Sequence, residues 1–266
     1  TLCLVCRHWR AIAIATPSLW SKIEFSAIQT TKEPWSPAVV PAPQIRGIWT
    51  WMDRVSTHPW ELTIRIEVNT GTKVIDGVPL LQVLKRPATL HLKKFRISGT
   101  ANSLAANGLD EMTFPEVTSA VIDSTTWYFE IQEGRENLER ATIPYLPNLT
   151  HLTFNNLFSL ATRGPKSIPE QVPWGRLTYL ALGGDLELRY WRMVLKQCVK
   201  LQKGIFFLSD FIEDEQSVHD SPECVELPEL RELTTFKYSP FQEPLHNISL
   251  PKLERLQIYT GWTQPE

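Results

Sequence analysis

The chain has 266 residues, 42% hydrophobic and 21% charged, with 27 basic against 29 acidic side chains and a net charge of -2. That near-balance argues against a general nucleic-acid binder, which shows a basic patch or a high pI, and no apolar run reaches the length of a membrane span. The length suffices for one large domain or two small ones with a substantial core.

The first element is a helix. In Leu4-Val5-Cys6-Arg7-His8-Trp9-Arg10-Ala11-Ile12-Ala13, the side chains of Leu4, Val5, Trp9 and Ile12 fall at helical spacing, while Arg7, His8 and Arg10 take the wetter side. Thr16-Pro17-Ser18-Leu19-Trp20 then ends it, because the residue before a proline is pushed out of the α region. Residues 4–20 together resemble the second half of an F-box, especially the F-box-like domains abundant in mushroom-forming fungi. The resemblance covers residues 1–25. It implies a docking module without catalytic chemistry, in which Leu4, Val5, Trp9 and Ile12 contact a Skp-type adaptor. The first half of that motif, an apolar segment with a Leu-Pro pair, is absent and the chain starts at Thr1, so a fragment cut inside the F-box is expected.

The four cysteines are Cys3, Cys6, Cys198 and Cys224. Cys3 and Cys6, with His8 nearby, have the spacing of half a zinc site or a redox pair. Zinc needs two further ligands, and Cys198 and Cys224 do not form a second close pair. Small buried thiols are the expected reading, with no metal and no cofactor, and this cysteine usage fits a reducing intracellular compartment. Asn148-Leu149-Thr150 and Asn247-Ile248-Ser249 match the glycosylation pattern, but such short matches arise by chance.

Residues 26–43, with Pro34, Pro37, Pro41 and Pro43, read as a proline-rich linker that excludes a regular helix or central strand. Residues 44–85 follow as a helix–strand–helix region. Ile45, Ile48, Trp49, Met52 and Val55 recur at helical spacing before His58-Pro59, and residues 62–68 alternate apolar and polar as a half-buried strand does. A further helix is expected around Pro79–Leu84. This order is similar to the region that follows the F-box in the same fungal family.

From residue 86 to 266 the chain repeats itself. Copies with a Leu-x-x-Leu core begin at Leu146, Trp174, Leu227 and Leu250, with fainter ones at Phe114 and Cys198. Aligned on Val117, Leu149, Leu177, Leu201, Leu230 and Leu253, the steps are 32, 28, 24, 29 and 23 residues. A period in the twenties with Leu-x-x-Leu-x-Leu is the signature of leucine-rich repeats, whose units must stack to cover their apolar faces. The predicted fold class is therefore α/β: an irregular leucine-rich-repeat solenoid of short parallel strands with helical or irregular returns, preceded by a partial helical F-box. Strands are predicted near 151–154, 179–182, 231–234 and 254–258, with Leu152, Phe154, Leu180, Leu182, Leu233, Leu256 and Ile258 buried. A helical return is predicted between Leu186 and Cys198. Of the tryptophans, Trp9, Trp20, Trp49 and Trp191 are expected in the core, and Trp35 and Trp262 in loops that can serve as exposed anchors.

No phosphate-binding glycine loop, nucleophile elbow or H-E-x-x-H is present, and the six histidines are scattered, so no catalytic residue is assigned and an enzyme is not expected. The stretch from Asp210 to Glu226 carries seven acids and no Lys or Arg. It reads as a solvated loop, with a contact for a basic partner or a loosely held cation as the alternative. The F-box resemblance with the repeats implies a substrate-recognition subunit of a cullin–RING ubiquitin ligase, located in the cytoplasm or nucleus, holding an adaptor and a target protein but neither nucleic acid nor membrane. The alternatives are an interaction scaffold with a decayed F-box and a repeat-based small-ligand receptor. Because side chains alternate along a strand, the concave face is expected to display His151, Thr153, Asn155, Tyr179, Ala181, Glu232, Thr234, Arg255, Gln257 and Tyr259. Among them Tyr179, Arg255 and Tyr259 are the candidate target-binding residues.

Overall fold

The computed structural model describes residues 7–30, 36–55, 57–69, 76–124, 143–155, 171–209, 224–237 and 245–260. It is an α/β protein with predominantly parallel strands, divided into two compact units: Thr1–Ala120 with Thr142–Asn148, and Val121–Ala141 with Leu149–Glu266. Among the described residues no helix is long and apolar enough to cross a membrane.

The first unit opens with helix α1 (Arg7–Ala15) and a 3-10 turn at Pro17–Trp20. Its strands are β1 (Lys22–Thr30), β2 (Val39–Pro41), β3 (Trp60–Asn69), β4 (Gly77–Pro79) and β5 (Leu92–Gly99), ordered β5-β3-β1-β2-β4. The pairs β1–β3 and β3–β5 are parallel, whereas β2 runs antiparallel to both β1 and β4. Ile23 and Phe25 alternate with polar neighbours, as do Leu62, Ile64 and Ile66, so that each strand buries one face, and Ala27 continues the buried row of β1. Helix α2 (Ala42–Val55) turns Ile45, Ile48, Met52 and Val55 inward, and α3 (Leu80–Leu84) buries Leu80, Val83 and Leu84.

The helix, strand and helix expected within residues 44–85 fall on α2, β3 and α3, with the short β4 standing unexpected between the last two. The linker expected over 26–43 is different: residues 26–30 complete β1, and β2 lies within it. The prolines are tolerated because β2 and β4 are three residues long, with Pro41 and Pro79 at their ends. Residues 36–38 are held by a buried polar chain. Gln29 Nε2 donates to the Ser36 carbonyl at 2.9 Å, Ser103 Oγ donates to Gln29, and the Ala38 amide donates to Asn107 Oδ1 at 3.0 Å. Ser103 and Asn107 come from α4 (Ala101–Ala106) and its C-terminal cap. Strand β6 (Ser119–Ser124) follows, with Ala120 and Ile122 buried.

In the second unit, β7 (His151–Asn155), β8 (Tyr179–Glu187), β9 (Lys203–Ser209), β11 (Glu232–Lys237) and β13 (Arg255–Thr260) lie side by side in chain order, every neighbouring pair parallel. Strands β10 (Val225–Glu226) and β12 (Ile248–Ser249) form a separate parallel pair. The register pairs His151 with Tyr179, Tyr179 with Lys203, Lys203 with Glu232 and Glu232 with Arg255. These offsets equal the last four steps between the aligned leucines.

The same local geometry recurs before β8, β9, β11 and β13. A turn closes with the Leu230 amide on the Leu227 carbonyl at 3.3 Å, and with Leu253 on Leu250 at 3.2 Å. Pro228 and Pro251 sit at the second turn position, where their fixed φ is already suitable. One carbonyl of each strand entry then accepts two amides from the next. The Thr150 carbonyl takes Thr178 and Tyr179, Thr178 takes Gln202 and Lys203, Gln202 takes Arg231 and Glu232, and Arg231 takes Glu254 and Arg255, all at 2.8–3.1 Å.

Leu152, Phe154, Leu180, Leu182 and Leu233 are buried as expected. Leu256 and Ile258 are not; they are 44% and 42% exposed. Among the described residues β13 pairs on one side only, and no further strand stacks over its apolar row. The helical return is α5 (Leu188–Gln197), which buries Trp191, Val194 and Leu195. Its Trp191 meets Phe206 edge-on at 5.7 Å. Phe206 in turn fills the space over Gly204, which stands where other copies have a leucine: a Cβ on Gly204 would lie 2.5 Å from the Phe206 ring. Because that ring is fully buried and cannot swing away, Gly204→Ala should lower stability by about 1–3 kcal/mol. Urea unfolding checks this, and adding Phe206→Leu should recover most of the loss.

Candidate functional site

Two surfaces carry the chemistry the sequence singled out. The first is α1 with the turn after it. Only Ala13 of the helix is buried. Trp9 is 55% exposed and Ile12 41%, so Trp9 is not a core residue, contrary to expectation. Ile14 and Leu19 are exposed beside them in sequence. Leu4 and Val5, like Cys3 and Cys6, lie outside the described residues. What holds this segment is Trp20, whose Nε1 donates to the Ala13 carbonyl at 2.7 Å, while Trp51 Nε1 donates to the Trp20 carbonyl at 2.7 Å. The two indoles meet edge-on at 5.3 Å, and the Arg54 guanidinium lies 4.3 Å from the Trp20 ring centre. Trp20 is thus half-buried against α2. Trp49, also half-buried, has Arg86 at 4.3 Å over its ring.

The second surface is the face of β7, β8, β9, β11 and β13 opposite the buried row. A parallel sheet is commonly covered on both faces; here the alternate residues whose burial is described stay half-buried or exposed, Ala181 and Gly183 excepted. Register arranges them in rows across the strands. One end row reads His151, Tyr179, Lys203, Glu232, Arg255. Tyr179 stacks on His151 at 5.9 Å, and Glu232 is held by Lys203 at 2.8 Å and by Arg255 at 3.2 Å. The middle row includes Thr153, Ala181, Ile205, Thr234 and Gln257, with Thr234 Oγ1 donating to Gln257 Oε1 at 3.2 Å. At the other end Phe207, Phe236 and Tyr259 stack face to face, with centroids 4.4 and 4.7 Å apart and planes within 10° and 9°.

The candidate residues are therefore distributed. Arg255 and Tyr259 share β13, and Tyr179 shares the ionic row with Arg255 three strands away in the order. Lys203, Phe207 and Phe236 were missed as face residues. Their signal was present: Phe207, Phe236 and Tyr259 each follow the aligned leucines Leu201, Leu230 and Leu253 at the same distance. Trp35, Trp262 and residues 210–223 of the acidic stretch lie outside the described residues. Among the described residues no group of His, Cys, Asp or Glu is placed to hold a metal ion. No family model matches the chain, and no curated protein matches it either.

Two electrostatic consequences can be measured. The Glu232 carboxyl lies below its ordinary range, chiefly through its hydrogen bond to Lys203, with the Arg255 and Lys203 charges assisting. A lowered pKa contributes stability above the unfolded value that disappears as pH falls through the folded one. An NMR titration should place Glu232 below a free glutamate, and Lys203→Met should raise its midpoint. Burial pushes the Cys198 thiol up to about 12, while Cys224 is exposed. Iodoacetamide at pH 8 should alkylate Cys224 in the native protein but Cys198 only after unfolding, as peptide mapping would show.

Proposed function

We propose that this chain is the substrate-recognition subunit of a cullin–RING ubiquitin ligase. It joins an F-box segment for a Skp-type adaptor to an irregular leucine-rich-repeat solenoid for a target protein. The carrying observation is the recurrence of one unit in the second half. There, an apolar turn leads into a parallel strand with one buried and one open face, offset from its neighbour by the sequence repeat. That construction leaves a broad, side-chain-lined face for macromolecular recognition, as repeat architectures do. The exposed apolar side chains of Trp9 and Ile12 on α1 suit the adaptor role that the F-box resemblance gives them. In this reading the chain works inside the cell, performs no bond chemistry itself and needs no cofactor; ubiquitin transfer belongs to other subunits.

Exposure of Trp9 separates docking from stability. Trp9→Ala should change folding stability by less than about 1 kcal/mol, as substitutions at exposed positions usually do. It should nevertheless reduce capture of a purified Skp-type adaptor by the full natural protein. Undiminished capture removes Trp9 from the docking face, and no capture by the unaltered protein removes the ligase reading.

A further inference from the structure

The open face of the second unit carries two unlike rows separated along the strands. In the ionic row, Lys203 and Arg255 share the single carboxylate of Glu232, leaving one positive charge in excess. In the aromatic row, Phe207, Phe236 and Tyr259 are stacked with nearly parallel planes across neighbouring strands. Rings stacked along that direction turn their edges away from the sheet. Ring edges carry the positive end of the aromatic quadrupole and receive the face of another ring in a T-shaped contact, and Tyr259 of this row is 45% exposed. The rows are four residues apart on each strand, Lys203 to Phe207, Glu232 to Phe236 and Arg255 to Tyr259. At the rise of a strand this is about 13 Å. Between them lie Ile205, Thr234 and Gln257, an apolar-to-polar strip.

We propose that this face binds an extended protein segment that places an acidic residue on the Lys203–Arg255 row and an aromatic residue on the Phe207–Phe236–Tyr259 ladder. The spacing fixes the pattern. An extended segment running along the strands covers the distance between the rows in four residues, so acid and aromatic stand at i and i+4, with an apolar residue at i+2 over Ile205. A helix rises about 1.5 Å per residue and would need some nine residues to span the same gap. Charge complementarity selects the acid: a basic residue there would meet the excess positive charge. This inference rests on the reading of the repeat face as target-binding and names the class of target segment it takes.

The test uses the full chain and three fluorescein-labelled synthetic peptides: Ser-Glu-Ser-Leu-Ser-Trp-Ser, the same with Lys for Glu, and the same with Ala for Trp. Fluorescence anisotropy at low salt should show the Glu–Trp peptide binding at least about tenfold more tightly than either control. Tyr259→Ala should weaken it. Arg255→Glu should invert the preference toward the Lys peptide, a gain that an unfolded variant cannot produce. Equal binding of the Glu and Lys peptides, still weakened by Tyr259→Ala, would overturn the acidic assignment while leaving the face as a binding surface. Absence of binding, or binding indifferent to both variants, would overturn the inference and remove this face from the target-binding reading.

Discussion

Everything on the open face depends on a hydrogen-bonding constraint at the strand entries. The carbonyls of Thr150, Thr178, Gln202 and Arg231 each accept two successive amides from the next copy. Such double acceptance fixes where the following strand begins to within one residue. A slip of one residue would turn every side chain to the opposite face, burying Lys203 or Glu232 and exposing Leu233. The turns before the strands serve the same end. Pro228 and Pro251 preset the chain direction, and Leu227 and Leu230, both fully buried, pin each side of the first of these turns to the core.

With register fixed, burial and display become separate tasks. The inward row carries stability: Leu149, Leu152, Leu177, Leu180, Leu201, Leu230 and Leu233 are almost wholly removed from water. The outward row is free to vary, and it varies by copy rather than by position alone. Its ion pairs are solvent-exposed and contribute little to stability. Their effect is to set the charge pattern and the positions of Lys203 and Arg255. The aromatic stack differs, because each ring shields its neighbour's face while Tyr259 keeps 45% of its surface exposed. In the first unit, the outward residues of β1, β3 and β5 are occupied instead by charge pairs such as Arg65–Glu24 at 2.6 Å and Lys94–Glu61 at 2.7 Å.

Much of the second unit was legible because leucine spacing and strand register are the same quantity. The steps from Leu149 to Leu253 reproduce the pairing offsets from His151 to Arg255. What was not legible has local causes. Gly204 replaces the expected leucine, and its space is filled from the neighbouring Phe206 and from Trp191 on α5, so β9 gave a faint signal and its outward residues went unread. Leu256 and Ile258 fit the buried pattern, but burial requires a neighbour, and among the described residues β13 is paired on one side only. Residues 26–43 carried prolines that argued for a linker, and the end of β1 buries Ala27 and polar Gln29 while apolar Ile28 is half-buried between them, so the residue types there show no apolar–polar alternation. Trp9 shows the opposite limit: an apolar residue at helical spacing marks a face without saying what covers it.

The central claim is that the parallel register places alternate residues of β11 and β13 on one open face. Disulfide trapping tests it most directly. With Cys3, Cys6 and Cys224 replaced by serine, Thr234→Cys combined with Gln257→Cys should oxidise rapidly to an internal disulfide, since the two positions are register partners. Thr234→Cys combined with Leu256→Cys should not, because those side chains point to opposite faces. Rapid bridging of the second pair and not the first would contradict the register, and with it the account of the face built upon it.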